Sequence, residues 1–62
     1  MTTDALEAFM ISHALMGELL ERLQKAHDNF LDTHPDGVDW GDVGSVNKVC
    51  SDLKEICRFI KV

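Results

Sequence analysis

The sequence has no tyrosine, one proline, one tryptophan, two cysteines and four glycines. Its β-branched residues are few and scattered, which favours helix over strand. With so few Pro and Gly to punctuate it, the chain has room for only a few long elements. A disordered chain is excluded by the hydrophobic fraction of 45%, which is that of a folded protein. The opening Met1-Thr2-Thr3-Asp4 has no basic region of the signal-peptide type, so no secretory leader is expected. Glu7, His13 and Glu18 interrupt the most apolar stretch, and no membrane span is expected.

What the chain does have is 62 residues, enough for one domain, read here as a helical hairpin over residues 1–62. A monomer of this size is marginal, because it buries only about 60% of the surface its unfolded chain exposes. Domains this small need staples, a metal or oligomerisation. The net charge is −5. Residues 1–34 carry −4 of it and residues 35–62 carry −1. An acidic chain disfavours nonspecific binding to nucleic acid or to anionic membranes.

The first helix is expected over about residues 4–33. Asp4 and Glu7 have the spacing of a capping box. Leu, Met, Ala, Glu, Gln, Lys and Arg then predominate, with Glu18–Arg22 and Glu21–Lys25 as favourable i,i+4 pairs. His34-Pro35 sets the expected end, since the residue before proline leaves the α region, and Asp36-Gly37 makes a turn. Within this helix Leu6, His13, Leu20, His27 and His34 share one heptad position, and Phe9, Met16, Leu23 and Phe30 share the other. This is an a/d seam of period 3.5. The candidate oligomer seam is therefore Leu6, Phe9, His13, Met16, Leu20, Leu23, His27 and Phe30. Ala5, Ala8, Met10, Ile11, Ala14, Leu15 and Leu19 make the N-terminal half apolar on nearly every side. One neighbouring helix cannot cover such a surface. If two copies pack antiparallel about Leu20, His13 meets His27 and Phe9 meets Phe30.

The second helix is expected over about residues 39–61. Asp39 and Asp42 have capping spacing, with Ser45 as a rival start because Gly41 and Gly44 weaken the first turns. Its apolar stripe runs Val43, Val46, Val49, Cys50, Leu53, Ile56, Cys57 and Ile60. Lys48, Asp52, Lys54, Glu55, Arg58 and Lys61 fill the other face. The short connection makes the helices antiparallel neighbours. The expected fold is all-α, an antiparallel hairpin associating into a four-helix bundle.

The run Val38-Asp39-Trp40-Gly41-Asp42-Val43-Gly44, following a Pro/Asp/Gly turn and leading into a helix, resembles a group of small uncharacterised bacterial or phage proteins with a helix–WGxVG–helix pattern. The resemblance spans about the second half of the chain and brings no activity and no site residues with it. In size, acidity and hairpin architecture the chain is also similar to the Rop-type plasmid copy-number regulators, which are RNA-binding dimeric bundles. No RNA-contacting residue of that group maps onto a position here.

Candidate chemistry is sparse. His13 and His27 lie about 21 Å apart on one helix, at about 1.5 Å per residue, so one chain cannot bring them to one ion. They read as polar members of a packed seam, with metal or pH sensing through a second copy as the alternative; His34 reads as a loop residue. Cys50 and Cys57 are about 10 Å apart along their helix, too far for a disulfide, and lack the spacing of a zinc motif. They read as small core thiols of a reducing, cytoplasmic compartment. Trp40 reads as a structural cap that packs at the hairpin end, with a ligand platform or a partner anchor as the alternatives. Asp36, Asp39 and Asp42 lack the terminal Glu of a calcium loop and read as turn and cap residues. No triad, phosphate loop or inward carboxylate pair is present. Neither an enzyme nor any cofactor or metal is expected. The expected partner is a second copy of the chain, in a dimer or tetramer, and a further protein in addition. The alternatives are a Rop-like nucleic-acid regulator using one helix face, and a sensor built on the histidine seam.

Overall fold

The computed structural model describes residues 2–62, with side chains from Asp4 onward. Two α-helices, α1 (Thr2–Asp28) and α2 (Trp40–Ile60), account for most of them. Short turns at Phe30–Asp32 and Pro35–Gly37 lie between. No strand occurs among the described residues, so the fold is all-α. The chain divides into two units, one ending at Asp32 and the other Thr33–Val62.

In the first unit α1 is already helical at Thr2, so Asp4 sits inside the first turn rather than at the cap. There its carboxylate faces the positive end of the helix dipole. The helix stops at Asp28, five residues short of the expected end. Pro35 is not what ends it. Asn29 N–H still closes a bond to Lys25 O at 3.0 Å, and then Phe30, Leu31 and Asp32 take φ of 53°, 50° and 59°. Asp and Asn compete with helix by bonding locally to the backbone. A carboxylate at the negative end of the dipole adds to the cost of continuing. Gln24 Nε2 partly offsets this by donating to Asp28 Oδ1 at 2.9 Å. The left-handed turn is closed by Asp32 N–H donating to Asn29 O at 3.0 Å.

In the second unit His34 is extended, as a residue before proline must be. Its ring Nδ1 accepts from Asp36 N–H at 3.2 Å and caps the Pro35–Gly37 turn. Between the two possible starts of α2 the backbone selects Asp39, which is extended and caps the helix. Ser45 lies inside the helix, its Oγ donating to Gly41 O at 3.1 Å. At the other end Lys61 takes φ 63°, and Val62 N–H returns to Cys57 O at 3.0 Å. This six-to-one bond is that of a Schellman motif.

No helix among the described residues is long and apolar enough to cross a membrane. None of the residues whose side chains are described is buried.

Candidate interaction surface

A straight helix cannot bury its own side chains, and α1 shows the consequence. Leu6 is 58% exposed, Phe9 65%, Met16 49%, Leu20 54% and Leu23 42%. These residues recur every three and four positions along α1, so they lie on one stripe of it. His13 and His27 share the stripe. The imidazole of His13 stacks on the ring of Phe9, with centroids 5.8 Å apart and planes 23° from parallel. His27 Nδ1 instead turns aside to Asp28 Oδ1, 3.4 Å away. Phe30, the last seam residue expected from the heptad, lies beyond the end of α1 in the left-handed turn. The seven-residue phase does not extend to it, so an antiparallel packing about Leu20 has no helical Phe30 to set against Phe9. His34 likewise falls outside α1.

The charges of α1 obey a rule that the seam alone does not reveal. With Leu6 and Phe9 at positions a and d, Asp4, Glu7, Glu18, Glu21, Arg22, Lys25 and Asp28 all fall at b, c or f. The flanking e and g positions hold Ala5, Met10, Ser12, Gly17, Leu19, Gln24 and Ala26. Two-stranded coiled coils place charges at e and g; here these positions extend the uncharged face to four of every seven residues. Outside that face Arg22 pairs with Glu18 at 3.0 Å in solvent, an exposed pair worth at most about 1 kcal/mol. Along residues 8–15 Ala8, Ile11, Ala14 and Leu15 carry apolar surface onto the b, c and f side as well.

On α2 the expected stripe is present, and its outer face carries the Lys48–Asp52 ion pair at 2.9 Å. Cys50 and Cys57, expected among core side chains, are both exposed. With Leu53, Lys54, Arg58 and Val62 they line an open groove of about 510 Å³. Trp40, expected to be covered as a structural cap, is 86% exposed at the first position of α2. The Asp39, Asp42 and Asp36 carboxylates cap and turn the backbone or stand in solvent. Asp39 and Asp42 exchange bonds with each other's N–H groups, and Asp36 lies 3.8 Å from His34 Nδ1. Among the described residues no three His, Cys, Asp or Glu side chains converge as a metal would require.

The chain matches no family model, no curated protein and no solved structure.

Proposed function

We propose that this protein is a non-enzymatic interaction module that works as a homo-oligomer, its two helices forming antiparallel hairpins that assemble into a four-helix bundle. One observation carries the reading: the exposed apolar seam of α1, from Leu6 through Leu23. Water contact with that surface is unfavourable by about 25 cal/mol per Å². Contiguous apolar patches of this kind mark association sites on soluble proteins. The apolar b, c and f residues Ala8, Ile11, Ala14 and Leu15 favour a bundle over a two-stranded coil, since they give α1 surface for a neighbour beyond the seam. The setting that fits free Cys50 and Cys57 is the reducing cytoplasm, with a second protein as a further partner of the assembled bundle.

Sedimentation of the full chain over a hundredfold dilution tests this. The expected result is a dimer or tetramer at high concentration, with helix content falling as the chain dissociates. A well-folded monomer at every concentration overturns the reading.

A further inference from the structure

We propose that the wide face of α1 docks on the same face of α1 in a second copy, antiparallel and end to end, with the two-fold axis between Ala14 and Leu15. The pairing rests on the self-association proposed above and specifies its geometry. Along a seam the step from a to d is three residues and from d to the next a four. Reversing one helix exchanges these steps, so an antiparallel pair sets a against d. The possible registers are then seven residues of axis sum apart. α1 runs Thr2–Asp28, and one register places its axis within half a residue of the helix midpoint. In that register Leu6 meets the partner's Leu23, Phe9 meets the partner's Leu20, and His13 meets the partner's Met16, each twice.

The flanks fit the same axis. Met10 falls beside the partner's Gly17, and Ser12 beside the partner's Leu19, so large side chains sit against small ones. Ala5 falls beside the partner's Ala26 and permits close approach. Gly17 has no side chain to oppose Met10 of a second copy, and nothing of its own chain lies within 4 Å of where a Cβ would stand. Gly in a helix interior costs about 0.5–1 kcal/mol relative to Ala. A parallel pair sets g against e, and would place Gly17 beside the partner's Ser12, two small residues together, and Leu19 beside the partner's Gln24. No Asp, Glu, Lys or Arg of α1 lies on the contact face, so no like charges oppose the approach. Antiparallel helices also bring opposite dipole ends together.

The area is sufficient. A helix of 27 residues is about 40 Å long and about 11 Å across, so four-sevenths of its circumference presents about 800 Å². That is the share each partner contributes to an interface of standard size, about 800 Å².

Pulsed electron–electron distance measurements decide the pairing. The full chain carries a nitroxide-bearing unnatural residue in place of Asp4, Glu18 or Lys25, all exposed f positions, which leaves Cys50 and Cys57 as they are. Positions 4 and 25 exchange under the proposed axis, so their label pairs should be equally far apart. Along the helix axis each of these separations should exceed that of the position 18 pair by about 21 Å, given about 1.5 Å of rise per residue. An associated chain with three equal distances is parallel. Unequal distances for positions 4 and 25 mean a shifted register or another occupant on the face. Either result overturns the pairing while leaving self-association intact. A chain that sediments as a monomer overturns both.

Discussion

Asp39 and Asp42 cap each other's backbones. Asp42 N–H donates to Asp39 Oδ1 at 2.9 Å, and Asp39 N–H donates to Asp42 Oδ2 at 3.0 Å. The reciprocal bonds satisfy donors that the first turn of α2 would otherwise leave open. Both carboxylates also sit at the positive end of the helix dipole.

Asp39→Ala should therefore destabilise α2 by about 1 kcal/mol. Ser45→Ala should cost little, because that hydroxyl only bonds back to Gly41 O. Thermal melts at one fixed protein concentration compare the two. Equal losses would place the start of the helix elsewhere.

Leu20→Asp should abolish self-association, and Lys54→Ala should leave it unchanged. Leu20 stands mid-seam on α1, where an unpaired charge taken out of water is very costly. Lys54 is an exposed residue of α2, and surface changes usually stay within about 0.5 kcal/mol. Sedimentation of both variants is the measurement. Retained assembly in Leu20→Asp would remove Leu20 from the interface.

The Asp28 carboxyl titrates below its ordinary 3.8. The Gln24 side-chain amide is the largest cause, followed by the hydrogen bond from His27 and its charge. A carboxylate depressed in the folded state adds stability above the unfolded value, and loses it as pH falls through the folded one. The end of α1 should thus weaken below about pH 4, the unfolded Asp value being about 3.9. In Gln24→Ala the Asp28 titration, followed by carboxyl chemical shifts, should move upward. An unmoved titration would show that the amide bond is not made in solution.

Three successive non-glycine residues at positive φ, Phe30, Leu31 and Asp32, store strain of about 1–2 kcal/mol each. Asp is the best tolerated of the three types there. Asp32→Gly keeps the N–H that bonds Asn29 O and should raise the melting temperature slightly. Asp32→Val, β-branched at positive φ, should lower it by several degrees. The opposite order would mean that the left-handed turn does not persist.

The sequence by itself determined the all-α class, the existence of two helices, the heptad phase of the seam from Leu6 to Leu23, and the cap at Asp39 as one of two starts. These follow from local rules: side-chain period, capping chemistry and the scarcity of Pro and Gly act within a few residues, and a linear pattern displays them. The end of α1 was not legible in the same way. Pro35 is the conspicuous stop signal, yet Asp28 and Asn29 win earlier, because the dipole and local side-chain bonding act before the proline is reached. That competition leaves Phe30 outside α1. The seam also drew attention away from the flanks, where the uncharged e and g positions widen the face. What only the three-dimensional structure decided is the backbone of residues 29–39, the selection of Asp39 over Ser45, and the exposure of Cys50, Cys57 and Trp40. Exposure depends on which surfaces meet, and helical periodicity marks only the side of each helix that has apolar surface to hide.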